Sequence, residues 1–308
     1  MTLKRQAFEE QVRLLVRVLP YVARETDFAL KGGTAINFFL RDMPRLSVDI
    51  DLAYLPLEPR KTALPKIRAA LARIGEQLMA SSPAIATIDP PAVRENELRL
   101  LIRDGRTQVK LELSPVLRGT VFPPERRIIA PAVETAFGYA EMQVLSHPDL
   151  YAGKICAALD RQHPRDLFDI KLLYENEGLT DDLFRAFLVY AACSSRPMHE
   201  LLAPNEKDIG EDFAGEFAGM TVDPINIDAL LSARKRLIGD IRVQLKGPAA
   251  KFLRTLQAGE PDFTLIGLPQ AADLPAIRWK ILNLKKLIAE NPGKHRAQTE
   301  ALDAILID

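Results

Sequence analysis

The chain has 308 residues, 47% of them apolar, and its 41 basic side chains balance 41 acidic ones to a formal net charge of zero. This composition can bury a sizeable core and excludes an intrinsically disordered chain. Balanced charge excludes a global basic field for nucleic acid, so any such binding must rest on local patches, and the length admits one large domain or two ordinary ones.

The N-terminus, MTLKRQAFEEQVR, lacks the apolar region of a signal peptide. No uninterrupted apolar run is long enough to span a bilayer, so the expected address is the cytoplasm, with no membrane partner. Phe8, Val12, Leu15, Val16 and Leu19 recur at helical spacing and predict an amphipathic helix over Leu3 to Arg24. Phe28 to Lys31 reads as the end of a buried strand. Gly32-Gly33-Thr34 then turns the chain into an apolar helix, Ala35 to Leu40. Glycine permits close approach of a ligand to the backbone, and a helix N-terminus offers free N–H groups to phosphate. Leu46 to Tyr54 reads as the next strand. Side chains alternate along a strand, so Ser47, Asp49 and Asp51 share one face while Val48, Ile50 and Leu52 face the core. Two carboxylates side by side repel, and a hard divalent cation resolves the repulsion. A phosphate cradle just ahead of a candidate metal site suggests nucleoside triphosphate chemistry. Either motif alone is commonly a plain turn or a solvated strand face; their ordered combination is the signal.

A helix opened by Pro59 is expected over Glu58 to Ala80, with scaffold residues Ile67, Leu71, Ile74 and Leu78 on one stripe. Pro83 to Val93 reads as loop, with a short strand around Ile85 to Ile88. Strands Glu97 to Arg103 and Thr107 to Leu113 flank Asp104-Gly105, a hairpin signal. Val109, Leu111 and Leu113 face one way; Lys110 and Glu112 face the other, where a third carboxylate belongs or where Glu112 simply pairs with Lys110.

KGGTA, SVDID and VKLEL in this order resemble the nucleotidyltransferase superfamily with the DNA polymerase beta-type fold. The resemblance implies that Asp49, Asp51 and Glu112 hold magnesium or manganese, and that Gly32, Gly33, Thr34 and Ser47 hold the triphosphate of an NTP co-substrate.

Pro115 to Pro131 reads as a connection, and Met142 to Leu145 as a strand. The helix Leu150 to Leu159 carries Lys154 amid apolar neighbours. Its Cys156, like Cys193 further on, reads as a reduced core residue rather than a disulfide or zinc ligand. RQHPRDLFDI, from Arg161, opens a helix running to about Glu177. Lys154 either snorkels to solvent or places a point charge on phosphate. Asp166 either caps the helix start or orients Lys154 or the acceptor hydroxyl. Asp169 reads as structural, Arg165 as a phosphate contact or an acid's partner, and His147 and His163 as turn residues. Lys154 followed by this segment is similar to the AbiEii/AbiGii toxin family, the toxins of bacterial type IV toxin–antitoxin systems. By that resemblance Lys154 and Asp166 join the catalytic set, Lys154 also touching the nucleotide. The implied activity is transfer of a nucleoside monophosphate to an RNA end, especially tRNA, with a cognate antitoxin as partner. Transfer to a protein or small molecule, and a non-catalytic nucleotide-binding module, remain the alternatives.

Helices are expected over Thr180 to Ala192, Asn226 to Val243, Pro248 to Gln257, Leu274 to Ala289 and, weakly, Gln298 to Leu306, with an interrupted acidic stretch from Pro204 to Asp223. The basic run Arg278, Lys280, Lys285, Lys286, Lys294, His295 and Arg296 is either a solvated face or a surface for an RNA backbone. The expected fold is α+β: a small mixed-sheet core flanked by helices over residues 1–140, then a helical domain over 141–308.

Overall fold

The structure is a computed structural model describing residues 3–82, 84–88 and 98–306. The chain divides into two compact units. The first runs to Ser146 and includes Ala218–Pro224; the second comprises His147–Phe217 and the chain from Ile225 onward.

The first unit is built on a seven-stranded mixed sheet, in the order β3-β4-β5-β2-β1-β7-β6. The strands are β1 (Phe28–Lys31), β2 (Asp49–Tyr54), β3 (Ile85–Ile88), β4 (Leu98–Asp104), β5 (Thr107–Arg118), β6 (Glu125–Ile128) and β7 (Glu141–Val144). The β4–β5 hairpin turns at Asp104 and Thr107 as the Asp-Gly signal predicts. At the centre β2 runs antiparallel to β1 and parallel to β5. Register puts Ile50 beside Leu111, Leu52 beside Leu113, and Leu113 beside Leu98. These side chains are buried and form one apolar face. Helices α1 (Leu3–Val22) and α3 (Arg60–Ser81) pack against the sheet with Val12, Leu15, Leu19, Ile67, Ile74 and Leu78 buried. Burial of each such side chain contributes about 1.5–3 kcal/mol, whereas a one-residue slip of β2 would turn Asp49 and Asp51 into that core. The register of the acidic face is thus fixed by the apolar one.

Several boundaries differ from the sequence expectation. The sheet is larger than the small one expected, because Pro115 to Pro131 contains the end of β5 and all of β6, and a further helix, α4 (Pro131–Phe137), follows. β2 begins at Asp49, not at Leu46: the Leu46 N–H donates to the Met220 carbonyl at 2.9 Å, and Arg45 bridges to Thr221. Arg45 and Leu46 are therefore held by the returning segment rather than by the sheet. Val48 is half-buried, not core. Glu97, and Pro83 with the 89–93 part of the expected loop, lie outside the described residues. α2 (Gly32–Ala35) passes into a π turn, Ile36–Leu40, in which the Arg41 N–H reaches back to the Ile36 carbonyl.

The second unit is helical, as expected of the C-terminal half: α5 (His147–Asp160), α6 (Pro164–Asn176), α7 (Asp181–Ala192), α8 (Met198–Leu202), α9 (Gly210–Asp212), α10 (Ile227–Gln244), α11 (Gly247–Gln257), α12 (Pro275–Glu290) and α13 (Pro292–Asp303). α7 packs on α5, and α10 on α6. α13 starts earlier and ends sooner than expected; Pro292 sits in its first turn and Asn291 caps it. Among the described residues no helix is long and apolar enough to cross a membrane.

Candidate active site

The polar face of the sheet carries the candidate residues of the first unit. Cross-strand register sets Lys31 opposite Asp51, Asp51 beside Glu112, and Glu112 opposite Arg99, in one row across four strands. The next row sets Asp49 beside Lys110. The sheet therefore brings Asp49, Asp51 and Glu112 onto one face of adjacent strands. Their carboxylates are not gathered: among the described residues no group of three or more Asp, Glu, His or Cys side chains stands ready around a metal position. Glu112 instead holds Lys110 at 2.7 Å, both half-exposed. Its hydrogen bond, with the nearby charges of Asp49 and Asp51, raises the Lys110 pKa.

The glycine turn fits against this row. Gly32 has φ +73°, a left-handed conformation that side chains rarely adopt. A Cβ there would lie 2.5 Å from Asp51 Oδ2, and one on Gly33 would lie 2.8 Å from Arg45 Nη2 and 3.0 Å from Ser47 Oγ. Gly32 is thus required by its conformation as well as by closeness, whereas a side chain at Gly33 would have to displace the Arg45 guanidinium. Thr34 and Ser47 are buried. Thr34 Oγ1 donates to the Asp49 carbonyl at 2.6 Å and lies 3.0 Å from Ser47 Oγ, which fastens the turn to the head of β2. Asn37 Nδ2 donates to the Gly33 carbonyl at 2.9 Å. Sequence reasoning missed Arg45, a buried guanidinium that donates to the Leu46 carbonyl at 2.9 Å and lies against the turn. An arginine just ahead of the acidic strand is its sequence signal. Asp49, Asp51 and Glu112 offer, from two adjacent strands beside the Gly32 turn, the hard carboxylate oxygens that a divalent cation prefers; to share one ion they would have to gather, with Glu112 turning from Lys110.

The second unit holds the other candidates. Lys154 Nζ lies 2.8 Å from Asp166 Oδ1 and 3.0 Å from Asp169 Oδ2, with Lys154 nearly buried and both aspartates at 0% exposure. Arg161 adds Nε at 2.5 Å and Nη2 at 3.0 Å to the two Asp166 oxygens. Burial alone would raise the Asp166 pKa, but the Lys154 and Arg161 charges outweigh it and hold the carboxyl well below its ordinary range. Asp166 does not cap α6. His163 does, its Nδ1 accepting from the Arg165 N–H at 3.1 Å. His163 Nε2 also lies 3.0 Å from Glu216, and Arg165 stands 3.6 Å from the same carboxylate. A second polar node was not foreseen: buried Arg234 donates to Gln162 Oε1 at 3.0 Å and to the Lys207 carbonyl at 2.7 Å. The basic run of the C-terminal helices is partly consumed within the unit. Lys280 donates to the Ser194 and Arg196 carbonyls at 2.8 and 3.0 Å, with burial lowering its pKa, and Arg278 pairs with Asp273. Cys156 and Cys193 are free thiols, partly buried rather than in the core as expected, and their desolvation raises their pKa values.

Comparison with known proteins agrees with this chemistry. No curated relative matches the sequence. Among solved structures the chain is similar to MenT4, a nucleotidyltransferase toxin from Mycobacterium tuberculosis H37Rv, at 14% identity and a TM-score of 0.60, covering 99% of this chain and 96% of that one. At that identity the likeness establishes a shared fold. The model of the nucleotidyl transferase AbiEii toxin family of type IV toxin–antitoxin systems matches residues 13–281, a span that includes the candidate catalytic and nucleotide-binding residues of both units, and the chain belongs to that family of nucleotidyltransferase toxins.

Proposed function

We propose that the protein transfers a nucleoside monophosphate from an NTP to an RNA end, tRNA foremost, and so arrests translation and growth until a cognate antitoxin counters it. The observation that carries this reading is the register of the sheet, which sets Asp49, Asp51 and Glu112 on one face beside a turn whose Gly32 leaves no room for a side chain next to Asp51. The free amides of the turn, with Arg45 against it, suit the triphosphate. Thr34 and Ser47 hold that turn in place rather than reach outward. Asp49, Asp51 and Glu112 would hold magnesium or manganese, which neutralises charge on the phosphates and acidifies the attacking hydroxyl. The acceptor oxygen bonds to the α-phosphorus, the bond to the bridging oxygen breaks, pyrophosphate leaves with the electron pair, and the hydroxyl proton passes to water. In-line positioning and charge stabilisation carry such a step. Lys154 and Asp166 belong to the proposed catalytic set, with Asp166 and Asp169 fixing the lysine.

The test incubates purified protein with magnesium or manganese, each radiolabelled NTP in turn, and total bacterial RNA beside total protein, with an Asp49→Ala control. Label in a tRNA-sized band, absent from the control, is the expected result. Label in protein bands would move the acceptor to a protein, and equal label with Asp49→Ala would refute the site.

A further inference from the structure

The row Lys31, Asp51, Glu112, Arg99 alternates in a telling way: one cation stands at each end of a carboxylate pair. Neighbouring strands lie about 4.8 Å apart, so three spacings separate the Lys31 and Arg99 backbones by roughly 14 Å. The Gly32–Gly33 turn follows directly on Lys31, at one end of the row. A cavity of about 340 Å³ runs along the whole row, lined by Lys31, Asp51, Glu112 and Arg99 together with Ser114 and Pro115. That volume falls within the usual range for small-ligand sites. Nucleotidyl transfer needs two substrates on opposite sides of one set of carboxylates. The glycine turn and Arg45 serve the first; the Arg99 end has cations of its own.

We propose that Arg99 and Ser114 form the acceptor subsite, in which the Arg99 guanidinium grips a backbone phosphate next to the RNA end that receives the nucleotide. The inference rests on the RNA-acceptor reading above. A guanidinium binds phosphate through two parallel N–H groups, a geometry lysine does not reproduce. Ser114 Oγ accepts from the Val116 and Leu117 N–H groups at 3.3 and 3.0 Å, which fixes the oxygen and leaves the hydroxyl proton to donate. Arg60 Nη1, 3.5 Å from the Pro115 carbonyl, adds positive charge at the same rim.

The experiment measures transfer to total bacterial tRNA by the full-length wild type, Arg99→Ala and Arg99→Lys, varying RNA at saturating NTP and then NTP at saturating RNA. Loss of a charged hydrogen bond should raise the RNA KM roughly 10-fold or more in Arg99→Ala. Arg99→Lys should recover part of it, and the NTP KM should stay within about 2-fold of wild type. The dependence of RNA KM on salt should be shallower in Arg99→Ala, by about 0.7 in log–log slope, since one phosphate contact is gone; a merely structural arginine would leave that slope unchanged. An unchanged RNA KM, or a rise in the NTP KM instead, overturns the acceptor assignment. Wild-type label that enters protein and no RNA overturns the RNA reading itself, and the proposed ligand of Arg99 with it.

Discussion

Replacing Lys154 by methionine should destabilise the protein more than any change on the sheet face. The substitution nearly keeps the volume of the stem and removes only the ammonium. Asp166 and Asp169, both at 0% exposure, then lose a partner at 2.8 and 3.0 Å. Removing one member of a buried, hydrogen-bonded ion pair costs about 3–5 kcal/mol, because the remaining charge is left buried. Arg161 still holds Asp166 at 2.5 Å, but from a side chain that is 63% exposed, so it offsets only part of the loss. The loss should therefore fall near the lower end, about 3 kcal/mol, read as a drop in urea midpoint at unchanged slope. The triple variant Lys154→Met, Asp166→Asn, Asp169→Asn removes the stranded charges as well and should regain most of that stability. If Lys154 also serves transfer, the triple variant will be folded and still inactive. A Lys154→Met protein as stable as wild type would refute the buried-pair reasoning. A triple variant with full transfer would remove Lys154 and Asp166 from the catalytic set.

Gly32→Ala combines a left-handed φ, costing about 1–2 kcal/mol for a side chain, with a Cβ 2.5 Å from Asp51 Oδ2; transfer should fall well beyond what the stability loss explains, and unchanged transfer in a label assay would sink the cradle. Asp166 has a depressed pKa in the folded protein, so its stabilisation is complete above the ordinary carboxylate value of 3.8 and is lost as pH falls below it. Urea midpoints measured from about pH 5 down to 2 should drop more steeply for wild type than for Asp166→Asn. Magnesium or manganese with NTP should raise the melting temperature of wild type and not of an Asp49→Asn, Asp51→Asn variant, by the linkage that gives about 2.7 kcal/mol at a hundredfold excess over Kd; an equal rise in both would place the ion elsewhere.

The parts of this site that sequence makes legible are those set by local chemistry. A Gly-Gly before an apolar run and a period-two acidic pair declare a turn and a strand face, because backbone freedom and side-chain alternation act over a few residues. The partnership of Asp51 with Glu112 is different. It depends on β5 lying parallel to β2 after the chain has passed through α3, β3 and β4, and only the topology decides it. Leu46 is lost to the expected strand for a similar reason: its partner Met220 lies far along the chain. β6, Glu-Arg-Arg-Ile, has no apolar alternation because it is an edge strand with Ile128 exposed, so it reads as loop. The cap of α6 is readable in the sequence, and it decides between the two roles open to Asp166. Pro164 at the first helical position marks the preceding residue, His163, as the cap, and this leaves Asp166 inside the first turn, facing Lys154.

The two charged clusters differ in what solvent allows them to do. Lys154 and its aspartates sit where partner exchange would leave a charge buried, so that cluster is committed to one arrangement. Lys110 and Glu112, with side chains 38% and 46% exposed, form a pair of the kind worth about 0–1 kcal/mol, and Glu112 can leave it for a cation at little cost. The engaged Glu112 seen here is therefore no obstacle to a metal role. Glu112→Gln tests that distinction directly: its urea midpoint should stay near wild type while nucleotidyl transfer and metal-dependent stabilisation are both lost. Transfer at the wild-type rate would show that Glu112 is only the partner of Lys110, and the cation would then rest on Asp49 and Asp51 alone.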